Sequence, residues 1–158
     1  MSYELDIKCK KKTETFKDGI DLITIPLSCC EGLTDNVHLH FSSPNEKADL
    51  EYENYHVMNR DKIKEIIGYY IAHITNLQYK KIRLANESDK LLGLLPKTVD
   101  DDAYDRIEDD RADCLQEIDE VDDSINNCNK LKHLFEFIQK ILEDNNNDGV
   151  PVEIIYSI

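Results

Sequence analysis

The sequence predicts an α+β fold. We expect a mostly antiparallel sheet of about four N-terminal strands plus one C-terminal strand, with a long antiparallel helical hairpin inserted before the last strand. Two observations predict it. Apolar residues alternate with polar ones near both ends of the chain, as in half-buried strands. Between residues 58 and 149 they recur every three or four positions, as in amphipathic helices.

The predicted strands lie at the two ends of the chain. In the first, Tyr3, Leu5, Ile7 and Cys9 alternate with charged residues. The others are expected at residues 20–27, 37–41, 50–57 and 150–158. A chain of 158 residues is most simply one domain. We expect its sheet part at residues 1–57 and 150–158 and its hairpin at residues 60–143.

Two heptad frames predict the helices of the hairpin as a coiled coil. The first frame contains Ile63, Ile67, Tyr70, Ile74, Leu77, Leu84, Leu91 and Leu95. The second contains Ile107, Cys114, Ile118, Val121, Ile125, Cys128, Phe135 and Leu142. Pro96 is expected to end the first helix, and Thr98 or one of the residues 100–102 to cap the second. The stretch of residues 86–89, Asn-Glu-Ser-Asp, is a candidate break in the first helix.

The negative charge is concentrated in the second predicted helix. The whole chain has 33 acidic and 19 basic residues, a net charge of −14. Residues 60–99 hold 4 acids and 8 bases, whereas residues 100–123 hold 13 acids and 2 bases. The structural interpretation is that the basic first helix faces the acidic second one. An antiparallel register then places Lys80 and Lys81 near Glu117 and Asp119, Arg83 near Asp113 and Glu117, and Lys90 near Glu108 and Asp109.

This pairing leaves a surplus of acids, which predicts a function. Fixed carboxylates along a rigid helix resemble a nucleic-acid backbone and attract basic surfaces. We therefore expect a non-enzymatic binding or inhibitor protein whose acidic hairpin engages a basic, nucleic-acid-binding protein. The predicted partner-binding residues are Asp102, Asp105, Asp109, Asp110, Asp113, Glu117 and Glu120. A divalent-cation site among these carboxylates is a weaker alternative, because helical carboxylates are usually too dispersed to converge on one ion.

The alternative function is that of a structural or assembly subunit. Leu92 and Leu94 lie near the tip of the hairpin, where the sheet cannot cover them. A second copy of the chain, forming a four-helix bundle, would cover them. The sequence therefore also predicts a homodimer.

Two short motifs are weak candidates for metal sites. Asp144, Asn146 and Asp148 match the opening of an EF-hand loop, but the twelfth position is Ile155 instead of Glu, which favours a polar turn. His38 and His40 share one face of a predicted strand, with Cys29 and Cys30 in the preceding loop. Because no third ligand has suitable spacing, exposed histidines are the preferred interpretation. No metal and no cofactor is predicted.

Several other classes are disfavoured. The sequence has no nucleophile elbow and no phosphate-binding glycine loop, so an enzyme is not expected. The acidic composition disfavours direct binding to nucleic acid or to an anionic membrane. The sequence lacks an apolar signal core and any run long enough to span a bilayer, and its five cysteines suit free thiols, which together predict the cytoplasm. The small, acidic composition without Trp suits a viral accessory protein.

Overall fold

The computed structural model describes residues 4–11, 20–26, 55–58, 60–144 and 152–157. Strands β1, β2 and β3 precede two long helices, and a fourth strand follows them. Their bounds are β1 Glu4–Lys11, β2 Ile20–Pro26, β3 Tyr55–Met58, α1 Arg60–Leu94, α2 Asp101–Asp144 and β4 Val152–Ser157, with a short 3-10 turn at Leu95–Lys97.

The described strands are joined in the order β2-β1-β4-β3, and every pairing is antiparallel. Ile7 of β1 lies opposite Ile25 of β2 on one side and Ile154 of β4 on the other. The side chains of Ile7 and Cys9 are fully buried. This confirms the alternation that predicted the first strand. It also places β4, which follows the hairpin in the chain, between β1 and β3.

The predicted fold class is wrong in its balance of elements, because the described residues are mainly helical and their strands are short. Helices α1 and α2 contain 35 and 44 residues, whereas the four described strands contain 8, 7, 4 and 6. The described chain is thus mainly a helical hairpin, and its sheet is small. The physical reason is that an alternating run of four to eight residues says little about how much of the chain a sheet organises, whereas each heptad frame continues for about ten turns. The predicted strand at 37–41 lies outside the described residues.

The two heptad frames are confirmed by burial, since each of their members is buried or half-buried. Helix α1 runs without a break through residues 86–89, so the candidate break there is wrong. Ser88 occupies a place in the apolar stripe and is itself buried. The helix continues because Ser and Asn lower helix propensity by only a few tenths of a kcal/mol each, which packing overrides.

The turn of the hairpin is closed by side-chain hydrogen bonds. Pro96 lies in the 3-10 turn that ends α1, as expected. The Thr98 hydroxyl donates to the carbonyl oxygen of Leu94 at 2.8 Å. The Asp100 carboxylate accepts the backbone N–H of Asp102 at 3.3 Å, which makes Asp100 the N-cap of α2.

The chain divides into two compact units. One combines Met1–Gly68 with Leu131–Ile158, and the other is Tyr69–Lys130. This division does not test the prediction of a single domain, which therefore stays a prediction. Buried apolar residues of the first unit are Ile7, Cys9, Ile63, Ile66, Leu131, Phe135, Ile138 and Leu142, and those of the second are Tyr70, Ile74, Leu84, Cys114, Val121 and Cys128.

Burial also changes the acidity of groups in both units. It raises the pKa of the Cys9 thiol to about 11. The pKa of Tyr70 rises to about 12, mainly through burial and further through the neighbouring Cys128 and Tyr69. Both groups are therefore neutral at physiological pH, which suits their place in an apolar core. None of the described helices is long and apolar enough to span a membrane.

Helix α2 offers a matched test of this core. Phe135 is 0% exposed and Phe137 is 50% exposed, although they are two residues apart. We expect Phe135→Ala to lower the free energy of unfolding by about 3–5 kcal/mol, because it removes a buried ring and leaves a cavity. Phe137→Ala should lower it by less than about 1 kcal/mol. Urea unfolding followed by circular dichroism measures both, and equal losses would contradict the packing described above.

Candidate protein-binding face on the second helix

Six of the seven predicted partner-binding residues lie along one side of α2. They follow each other at intervals of three or four positions, which returns each side chain to the same face of a helix. We call this row the acidic face, and its members are Asp102, Asp105, Asp109, Asp113, Glu117 and Glu120. Asp110 lies beside the row, on the side of the apolar stripe.

The acidic face is open to solvent for most of its length. Five of its six carboxylates are exposed, and only Glu117 is half-buried. Glu117 is also the member that has a partner, because the Lys80 ammonium lies 3.2 Å from its carboxylate. The pairing of Lys80 with Glu117 confirms the sequence-based register of the hairpin.

A second ion pair fixes the register from the other side of the helix. Lys81 lies 2.6 Å from the Asp122 carboxylate, one turn away from the predicted Asp119. Since five residues rotate a helix by about 140°, Glu117 and Asp122 flank the apolar stripe on opposite sides. One ion pair therefore lies at each edge of the seam between the helices. Each exposed pair of this kind contributes about 0–1 kcal/mol.

The remaining bases do not neutralise the acidic face. No ion pair joins Arg83 or Lys90 to a carboxylate in the described part of the chain, so the predicted pairing is only partly realised. The Arg106 side chain instead donates to the backbone carbonyl of Asp102 at 3.3 Å. The Nε atom of Arg111 is buried and has no hydrogen-bond partner among the described residues. Neither arginine of the acidic stretch forms an ion pair with a carboxylate of the described residues.

Cys114 reports the electrostatic potential beside this face. Its pKa is raised, first by burial and then by four carboxylates, of which Glu87 has the largest effect, followed by Glu117, Asp110 and Asp113. Glu87 belongs to α1 and was not among the predicted site residues. The antiparallel register would have placed it opposite residues 110–114, but attention to the acidic run alone missed it. Both helices therefore contribute negative potential here.

The weaker metal hypotheses gain no support. Asp144 is the exposed last residue of α2, and Asn146 and Asp148 lie outside the described residues. His38, His40, Cys29 and Cys30 also lie outside them. Within the described ranges, no group of three or more His, Cys, Asp or Glu side chains is arranged to hold a metal ion.

The geometry of the acidic face suits electrostatic recognition. Like charges at i,i+4 destabilise a helix by about 0.2–0.5 kcal/mol per pair, and this row contains three such pairs, between positions 105 and 117. The helix therefore forms in spite of these carboxylates and not because of them. A cationic surface placed against the row would remove that repulsion.

Comparisons of the chain with protein-family models, with curated protein sequences and with solved structures find no significant match. The exposure, spacing and charge of these side chains are therefore the observations that bear on function.

The thiol of Cys114 provides a test of the local potential. Salt screens the four carboxylates that raise its pKa, so added salt should increase its thiolate fraction. We expect NaCl to raise the rate of alkylation by neutral iodoacetamide at pH 8 roughly twofold at Cys114 relative to Cys128. The pKa of Cys128 is raised by burial without such carboxylates, which makes it the internal control.

Peptide-resolved mass spectrometry follows both thiols in one sample. Replacing Glu87 by Gln should reduce the salt response of Cys114 and leave that of Cys128 unchanged. An unchanged ratio of the two rates across the salt series would show that the carboxylates do not act on Cys114 as described.

Proposed function

We propose that this protein is a non-enzymatic binding or inhibitor protein whose acidic helical hairpin engages a basic, nucleic-acid-binding protein. The observation that supports this most directly is the acidic face. Its exposed carboxylates are held on a continuous helix, and only Glu117 forms an ion pair with a described residue. A charged surface of this kind supports binding without requiring a pocket.

The spacing of the acidic face fits a surface that normally holds a phosphate backbone. Asp102 and Glu120 are 18 positions apart, which corresponds to about 27 Å along the helix axis. Six carboxylates over that length give about one charge per 5 Å, compared with about 3.4 Å per phosphate along one DNA strand. A basic groove that follows a nucleic-acid strand would therefore meet negative charge at a similar interval, and occupation by this helix would exclude the nucleic acid.

The charge also determines how binding should respond to salt. Exposed charges act over about 8 Å at physiological ionic strength, and electrostatic steering mainly raises the association rate. Binding through the acidic face should therefore weaken as salt increases. We also propose that the protein acts in the cytoplasm. The described cysteines Cys9, Cys114 and Cys128 are free thiols, which is typical of a reducing compartment.

The alternative function is that of an assembly subunit, which the sequence predicts from Leu92 and Leu94 near the tip of the hairpin. Leu92 and Leu94 are both 47% exposed. Residues two positions apart point to different sides of a helix, so one flat partner surface cannot cover both. A self-association contact would therefore use another part of α1, and it does not replace the acidic face as the proposed binding site.

Two double variants of α2 separate a role of the acidic face from a general effect of charge. Asp109→Asn with Asp113→Asn removes two carboxylates from the middle of the face. Glu108→Gln with Asp119→Asn removes two exposed carboxylates from another side of the same helix, so the net charge changes equally. Affinity purification from the native host, followed by mass spectrometry, should recover a basic protein with the wild type and the second variant. The first variant should retain at least about tenfold less of it.

The purified partner then gives the quantitative test. Its affinity for the wild type should fall steeply from low to high salt, and duplex DNA should compete for the same surface of the partner. An affinity that ignores salt, or one that both double variants reduce equally, would contradict the proposal.

A further inference from the structure

The exposed side of α1 carries a row of residues whose spacing along the sequence is symmetric about its midpoint. The row lies at intervals of seven, four, three, four and seven positions, which keeps its members on one face of the helix. We call this row the outer face of α1, and its members are Lys64, Ile71, Thr75, Gln78, Ile82 and Asp89. Its midpoint falls between Asn76 and Leu77.

All six side chains of the outer face are exposed. Ile71 is 51% exposed and Ile82 is 57% exposed, although isoleucine is among the residues most often buried. The hydroxyl of Thr75 donates to the carbonyl oxygen of Ile71 at 3.0 Å, so covering it would not leave a hydroxyl proton without an acceptor. The middle of this row is therefore uncharged.

The charges of the outer face stand at its two ends and have opposite signs. Lys64 lies seven residues before Ile71, and Asp89 lies seven residues after Ile82. No ion pair joins either of them to another residue of the described ranges. If a second helix of the same sequence runs antiparallel along this face, Lys64 meets Asp89, Ile71 meets Ile82, and Thr75 meets Gln78. The row is thus complementary to itself.

We propose that the outer face of α1 binds a second copy of this chain in an antiparallel, two-fold symmetric contact. A two-fold contact places the same surface of both copies together, so a palindromic row with opposite charges at its ends fits it. The choice of partner follows from the opposite charges at the two ends of the row, Lys64 and Asp89, which a second antiparallel copy pairs with each other. A chain of net charge −14 repels its own copies, and the uncharged middle of this row lets two copies approach without placing carboxylates together.

This contact uses no residue of the acidic face, because the two rows belong to different helices. It also differs from a contact through Leu92 and Leu94, neither of which is a member of the outer face. Dimerisation would present two acidic faces in one particle, so a partner with two basic sites would bind more tightly than a partner with one.

Charge reversal at the ends of the row tests the proposal. Sedimentation equilibrium from micromolar to hundreds of micromolar protein should show the wild type passing from 18.4 kDa to twice that mass. Lys64→Glu places Glu opposite Asp89, and Asp89→Lys places Lys opposite Lys64. Each variant alone should dimerise about tenfold more weakly, because two ion pairs per dimer become repulsive. An equimolar mixture of the two variants should regain wild-type dimerisation as a heterodimer.

A separate variant tests the apolar part of the row. Ile82→Ser should weaken dimerisation at least about tenfold, since the residue occurs twice in a symmetric contact. Its free energy of unfolding as a monomer should stay within about 0.5 kcal/mol of the wild type, because the side chain is exposed in a single chain. Lys97→Glu, in the turn, is the control for the charge reversals. It changes the net charge as Lys64→Glu does, but it lies outside the outer face and should leave dimerisation unchanged. The proposal would be overturned if the chain remained monomeric over the whole concentration range. It would also be overturned if neither single charge reversal weakened the dimer. Either result would mean that the outer face of α1 does not bind a second copy.

Discussion

The hairpin depends on a narrow apolar seam between its two helices. In the unit Tyr69–Lys130, residues such as Leu84 and Val121 are nearly inaccessible to solvent, and the frame positions between them are at least half-buried. A fully buried apolar side chain of this size contributes about 1.5–3 kcal/mol. The ion pairs at the edges of the seam contribute about 0–1 kcal/mol each. Packing therefore stabilises the hairpin, and the two ion pairs mainly favour one register.

Because the seam occupies only one stripe of each helix, most of the surface of α2 is free of packing constraints. The acidic face occupies part of that surface. Its carboxylates repel one another along the helix, and Glu87 of α1 adds further negative potential near Cys114. A surface selected for stability alone would alternate its charges. The concentration of negative charge on one face thus lowers the free energy of unfolding, and a basic partner would offset that loss.

The hairpin was the most predictable part of the fold. Helical periodicity repeats over many turns, so a few polar residues such as Ser88 do not hide it. The balance between helix and sheet was less predictable, because a strand pattern of four to eight residues carries little information about how much of the chain it organises. The acidic face followed from charge and spacing. The contribution of Glu87 was not predicted. It depends on a contact between the two helices, which can be inferred from the sequence only through the register of the hairpin.

We infer that the acidic face is more negative than the stability of the hairpin requires. The free energy of unfolding of Asp113→Asn, measured with urea at low and high NaCl, tests it most directly. Asp109, Asp110 and Glu117 lie three or four positions from Asp113, so the account predicts a gain of about 0.5–1 kcal/mol at low salt that shrinks as salt screens the repulsion. Glu108→Gln, whose helical neighbours include one acid and one base, should change little. A loss of stability in Asp113→Asn at low salt would contradict the account, since Asp113 would then stabilise the hairpin.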